Sequence, residues 1–213
     1  MSKKIGDITI DSVLPQEIEK RSFEIISEQL EGRIFSAEHE PIIKRVIHTS
    51  ADFDYADNMC FSENAVKAAK DAILNGACIV TDTQMAKSGI NKKSLAKYGG
   101  EVFCYMSDED VAAEAKKRQI TRAAVSMEKA AGCDRDLIFA IGNAPTALIK
   151  LYELIKEEKI HPKLVIGVPV GFVNVVQAKE LIMTAGVPYI VARGRKGGSN
   201  IAAAICNALL YSM

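Results

Sequence analysis

The chain has no tryptophan, only three histidines, and no apolar run long enough to cross a bilayer. Its longest uncharged stretch, Gly197 to Met213, is interrupted by Ser199, Asn200, Asn207 and Ser212. It falls short of the ~18 or more apolar residues expected of a spanning helix, and reads as a buried helix instead. Net charge is also absent: 27 basic residues balance 27 acidic ones, so no whole-molecule field draws in nucleic acid or an anionic membrane. The opening Met1-Ser2-Lys3-Lys4-Ile5-Gly6-Asp7 lacks an apolar signal core, which predicts a cytoplasmic protein. The five cysteines, Cys60, Cys78, Cys104, Cys133 and Cys206, form no Cys-x-x-Cys pair. An odd number at wide spacing predicts reduced, packed thiols rather than a metal or redox motif.

What is present is ordinary globular composition, 48% apolar and 25% charged over 213 residues, which excludes disorder and fibre. At ~100 to 200 residues per domain, that length predicts a single domain. Short β-branched runs alternate with helical patterns. Strands are expected at Leu137–Ile141, Leu164–Val168 and Tyr189–Ala192, and further ones at Ala77–Val80 and Glu101–Tyr105. Helical spacing fills Glu63–Leu74, closed by Asn75-Gly76, then Ala147–Lys159, Val173–Thr184 and the stretch carrying Ile201, Ile205, Ala208 and Leu209. The pattern predicts an α/β fold with a mainly parallel, doubly wound sheet. Residues 1–60 break this rhythm and read as an N-terminal helical segment of two helices, opened by Pro15 and Pro41, packed on the sheet.

In such a sheet the loops after the strands converge on one edge, the default ligand site. Four of them are rich in Gly, Pro, Asn and Thr: 81–85, 142–146, 169–174 and 193–200. Turn-forming alone accounts for any one of these loops. Four together on one edge favour a site. The last, Arg193-Gly194-Arg195-Lys196-Gly197-Gly198-Ser199-Asn200, sets three cations and a Gly-Gly-Ser step before a helix, an arrangement suited to a carboxylate or phosphate. It lacks the Gly-x-x-x-x-Gly-Lys-Ser/Thr spacing, and no Gly-x-Gly-x-x-Gly follows the first strand, so nucleoside triphosphates and dinucleotides are disfavoured.

Among the histidines, His39 and His161 stand beside Pro41 and Pro162 and read as surface loop residues. His48 follows Arg45 by three positions, so a proton donor and a permanent cation share one helix face. A helix-terminal histidine bonded to backbone carbonyls fits the spacing equally well. No Gly-x-Ser-x-Gly elbow and no metal-ligand spacing is present. Asp52, Asp54 and Asp57 lack the offsets of a calcium loop and read as a solvated acidic turn.

Five motifs in order resemble one family. Lys20-Arg21-Ser22-Phe23-Glu24-Ile25-Ile26, Arg45-Val46-Ile47-His48, Gly142-Asn143-Ala144-Pro145-Thr146-Ala147-Leu148, Gly167-Val168-Pro169-Val170-Gly171-Phe172-Val173 and Gly194-Arg195-Lys196-Gly197-Gly198-Ser199 are similar to those of the precorrin-8X methylmutases, across nearly the whole chain. The resemblance implies an isomerase of cobalamin biosynthesis. Such an enzyme moves a methyl group from C-11 to C-12 of a tetrapyrrole, (cobalt-)precorrin-8, to give hydrogenobyrinate or its cobalt counterpart. It implies no cofactor and no protein-bound metal, since any cobalt belongs to the substrate. His48 matches the family's catalytic histidine, a general acid and base. Ser22 and Arg45 align with substrate-contacting positions. Arg45, Arg122, Arg195 and Ser199 are candidates for gripping the substrate's carboxylates, bidentate arginine being the best such partner. The resemblance further implies a homodimer with its active site at the subunit boundary, where Thr83, Gln84 and Arg122 reach substrate from the partner chain. Two alternatives stay open at this point: a non-catalytic carrier of a tetrapyrrole or other polycarboxylate, and an enzyme of small sugar phosphates suggested by fold alone.

Overall fold

The structure is a computed structural model and describes residues 2–11 and 13–213. The chain divides into two compact units, Met1–Ser36 and Ala37–Met213. In the first, an antiparallel pair, β1 (Ser2–Ile5) and β2 (Ile8–Asp11), turns at Gly6-Asp7. A 3-10 turn at Pro15–Glu17 then leads into α1 (Ile18–Gln29). The periodicity reading anticipates α1 but not the hairpin, whose strands are four residues each, too short for the alternation to stand out.

The second unit opens with α2 (Glu40–Ser50), whose Pro41 lies in the first turn, where its missing N–H matters least. Its apolar stripe, Ile42, Ile43, Val46 and Ile47, is buried. A short helix α3 (Tyr55–Asn58) and strand β3 (Met59–Phe61) follow, then α4 (Ala65–Leu74) and β4 (Cys78–Thr81). Next come α5 (Gln84–Gly89), α6 (Lys92–Ala96), β5 (Val102–Phe103), α7 (Glu109–Arg118) and α8 (Arg122–Ala130). The remainder alternates as expected: β6 (Leu137–Ile141), α9 (Pro145–Lys156), β7 (Leu164–Gly167), α10 (Val175–Met183), β8 (Tyr189–Ala192) and α11 (Ser199–Tyr211).

The six-stranded sheet runs β3-β8-β7-β6-β4-β5 and is parallel except for β3, an antiparallel edge strand on β8. The central strands are buried on both sides, as a parallel sheet between two helical layers requires. Alternate residues Cys78, Val80, Leu137, Phe139, Ile141, Val165 and Val191 pack with α8, α9 and α10. On the other face lie α4 and α11, with α2 packed outside α11. Helix α11 is apolar almost all round and buried along its length, as expected of a helix between the sheet and another helix. Burying each of its Ile and Leu side chains contributes roughly 1.5–3 kcal/mol.

The strand order fixes the site. From β4 the chain crosses one way to β5, then returns to place β6 on β4's other side and moves on through β7 to β8. The reversal puts a topological switch point between β4 and β6. Register aligns Thr81 with Ala140, Ile141 with Gly167, and Gly167 with Val191, so all four following loops leave at one edge.

Candidate active site

Asp82 follows the last residue of β4 and is completely buried at the switch point. Its carboxylate accepts three backbone N–H bonds from the loop after β6: Gly142 at 2.9 Å, Asn143 at 2.8 Å and Ala144 at 2.6 Å. Burial pushes this carboxyl up from its usual range, and the three amides pull against that rise. The same amides lie just before α9, the last of them at its N-cap, so Asp82 ties the segment entering that helix to the end of β4 across the switch point.

The neighbouring residue joins a third loop. Thr83 caps α5, its Oγ1 accepting from the Ala86 amide at 3.0 Å, and lies 2.8 Å from the Ser199 hydroxyl at the start of α11. Gly142 permits this approach: a Cβ there would come within 2.7 Å of the Gly198 carbonyl and the Ser199 Cα. Gly197 is restricted in the same way, because a side chain would overlap the Val168 carbonyl oxygen. The loop after β7 completes the edge. Gly198 donates to Val168 O at 2.9 Å, and Gly171 donates to Arg195 O at 3.1 Å. The four loops predicted to meet do meet, with Thr83, Ser199 and Arg195 among them.

The loop's three cations are not equivalent, which the sequence does not reveal. Arg193 pairs with Glu180 at 3.1 Å. Lys196 reaches Asp52 at 2.6 Å and Asp54 at 2.5 Å, which holds the Asp52 carboxyl below its usual range and raises the Lys196 ammonium. Asp52 and Asp54 therefore lie in a solvent-accessible turn, as expected, but one that is ion-paired to the loop. Among the described residues, only Arg195 of the three has no carboxylate partner. Its guanidinium lies 5.7 Å from the centre of the Phe172 ring, and Phe172 is 83% exposed.

Beneath the same loop lies Lys179 of α10, with 0% exposure. Its Nζ donates to the carbonyls of Gly194 and Lys196, both at 2.8 Å, and burial lowers its pKa to about 8. Neither Asp82 nor Lys179 stands out in the motif reading, though each left a signal. Asp82 is an acid directly after an apolar strand. Lys179 falls on the helical stripe of Val175, Ala178 and Ile182, where periodicity alone calls for burial.

His48 occupies the last turn of α2 with its side chain exposed, and Arg45 sits one turn earlier, half-buried, its guanidinium 5.4 Å from the centre of the Tyr211 ring. The Asp52 and Asp54 clamp begins four residues past His48. It ties the segment leaving α2 to the loop that carries Arg195. His39 is not a loose surface residue: it stacks on Phe61, ring centres 3.9 Å apart, at the entrance to α2. Its pKa is lowered by burial. His161 is exposed in a loop, as expected.

Three predicted residues stand apart from this cluster. Gln84 is exposed and its side chain donates to Ser107 Oγ at 3.2 Å. Arg122 lines an open cleft of about 650 Å³ with Ala112, Lys116 and Gln119 that contains none of the other predicted residues. The preceding Thr121 links it to the loop edge, its hydroxyl donating to Thr146 at 2.8 Å. Ser22 belongs to the first unit, on α1, where its hydroxyl donates to the Ile18 carbonyl at 2.9 Å. All five cysteines are free; Cys78, Cys104 and Cys206 are buried and the other two half-buried. Burial drives the Cys206 thiol up to about 12, which suits a packed side chain and not a nucleophile.

The fold and this edge define a class: a doubly wound α/β protein whose strand-following loops meet at a topological switch point. Comparison with known proteins is more specific. The family model for precorrin-8X methylmutase matches residues 17–212. The cobalt-precorrin-8 methylmutase of Priestia megaterium is 48% identical over 93% of this chain and 88% of its own. That of Salmonella typhimurium is 47% identical over 93% and 96%. The crystal structure of a precorrin-8X methylmutase from Thermus thermophilus superimposes with a TM-score of 0.83 at 39% identity, covering 92% of this chain and 96% of that one. The chain belongs to the precorrin-8X methylmutase family and is an isomerase. The carrier and sugar-phosphate alternatives both give way to that assignment.

Proposed function

We propose that the chain moves the methyl group at C-11 of (cobalt-)precorrin-8 to the neighbouring C-12, with His48 as general acid and base, yielding hydrogenobyrinate or its cobalt counterpart. The names of the relatives in Priestia and Salmonella favour the cobalt-containing substrate, in which the metal arrives with the ring. The observation that carries the reading is the clamp of Asp52 and Asp54 on Lys196, because it fastens the segment that follows His48 to the loop bearing Arg195. On this reading the ion pair supports an acid on α2 working beside a carboxylate grip on the loop.

The division of labour follows from the chemistry of the substrate, a flat macrocycle with several acetate and propionate arms. Arg195, Ser199 and Thr83 would take carboxylates at the loop edge, where guanidinium and hydroxyl donors suit that geometry. Arg45 would add a second cation beside His48. Protonating the conjugated ring withdraws electron density and lowers the barrier to migration, and a positioned acid supplies ~10² to 10⁴ in rate. Migration is intramolecular, so holding the ring near the rearranged geometry supplies the rest. Exposed Gln84 and Arg122, outside the central cluster, suit contacts made across a homodimer boundary, and Ser22 is a further contact by its motif. Among the described residues no helix is long and apolar enough to cross a membrane.

The test is His48→Ala assayed in single turnover together with titration of hydrogenobyrinate, whose visible absorption reports binding. The expected result is product affinity within a few fold of wild type and turnover down by ~10² or more. Undiminished turnover would remove the acid and base from the mechanism while leaving family membership intact.

A further inference from the structure

Lys179 is a buried cation that the proposed chemistry leaves without a role. Among the described residues no carboxylate pairs with it, and its two partners are main-chain carbonyls. Holding an ammonium out of water in this way is unfavourable, and an apolar side chain of similar volume would fill the position. Its effect is on the shape of one loop.

A trans peptide unit is planar, with its N–H directed opposite its C=O. The Gly194 carbonyl shares a unit with the Arg195 amide, and the Lys196 carbonyl shares one with the Gly197 amide. Because Lys179 binds both carbonyls from beneath, the two amide hydrogens are turned away from it. The Arg195 carbonyl between them is engaged by the Gly171 amide, and Gly198 is committed to Val168. No acceptor within the described residues meets the amide hydrogens of Arg195 or Gly197. Among the described residues, two unsatisfied donors therefore accompany the one cation of the loop that has no acidic partner, a set of groups suited to a carboxylate.

We propose that Lys179 is a positioning residue for substrate binding: it fixes the carbonyl side of the loop so that the Arg195 and Gly197 amides, with the Arg195 guanidinium, present to a carboxylate arm of the substrate. The inference rests on the reading that this loop grips the substrate. Lys179 touches no substrate itself and acts through the main chain.

Lys179→Met in the full chain removes both donors at nearly constant volume. The expected outcome is a melting temperature equal to or above wild type, hydrogenobyrinate affinity and KM weakened about tenfold or more, and kcat changed by less than about threefold. A purely structural role would instead lower the melting temperature and leave affinity unchanged. A folded variant with wild-type affinity overturns the proposal. Should Lys179→Met fail to fold, Lys179→Gln, which retains a donor, is expected to give an intermediate affinity. If neither folds, Lys179 is a requirement of the core and the positioning role is withdrawn. Arg195→Ala, measured alongside, separates the two levels: unchanged affinity there removes the guanidinium from the grip, while the Lys179 result still decides whether the loop's shape matters.

Discussion

The loop edge and the last turn of α2 are built on opposite plans. At the edge two charged side chains, Asp82 and Lys179, are fully buried and spend their hydrogen bonds on backbone, one collecting N–H groups and the other C=O groups. On α2 the proposed acid, His48, stands exposed while the helix beneath it is anchored by four apolar residues. The difference separates two tasks. A grip on several carboxylates gains from a backbone fixed before substrate arrives, since ordering it during binding would be paid from affinity. A proton-transfer group must instead stay accessible to the ring it serves.

If that division is correct, substitutions should sort by region. The largest effect is on rate alone: His48→Ala lowers turnover by ~10² to 10⁴ and leaves the melting temperature close to wild type. Asp82→Ala acts on the frame, leaving three loop amides, one buried and two partly buried, without an acceptor. A loss on the order of 3 to 5 kcal/mol in unfolding free energy is expected, read by denaturant titration. Arg195→Ala should weaken hydrogenobyrinate binding about tenfold with little change in stability, as measured by absorption titration.

Two smaller effects depend on pH. Lys179 has a folded pKa lowered to about 8 from 10.5, so its charged form is disfavoured by folding. Below pH 8 the burial penalty is fully present, and it is relieved as pH rises from 8 towards 10.5, where the unfolded chain holds more protons. Wild type should therefore gain stability relative to Lys179→Met across that interval. Asp52 has the opposite sign. Its folded pKa is depressed by Lys196, so its contribution is present above the ordinary carboxylate pKa and is lost as pH falls through the depressed value. The effect should be slight, because the pair is largely exposed, and Lys196→Ala should abolish it.

How much of this was legible in the sequence follows the same boundary. The strands at Leu137–Ile141 and Tyr189–Ala192 match the structure residue for residue, and Leu164–Val168 differs by one, because fully buried β-branched runs between turns are the clearest of local signals. The meeting of four loops at one edge also followed from the alternation of elements. The hairpin Ser2–Asp11 and the strand Met59–Phe61 did not, since strands of three or four residues carry too little period to register. Long-range electrostatics were the least visible. Nothing local to Asp52 or Asp54 announces a partner 142 or more residues away, so three cations in the last loop looked equal until Glu180, Asp52 and Asp54 were found paired with two of them. Lys179 was within reach: a lysine on an apolar helical stripe is a local contradiction, and such contradictions mark positions held for a purpose.

The most direct test is a crystal structure of the full chain with hydrogenobyrinate bound. The account predicts an imidazole nitrogen of His48 within hydrogen-bond reach, ~2.6–3.2 Å, of a ring atom or one water removed, with a carboxylate arm on Arg195 and the loop amides around it. A macrocycle seated instead in the cleft lined by Ala112, Lys116 and Arg122, with His48 facing only solvent, would contradict it.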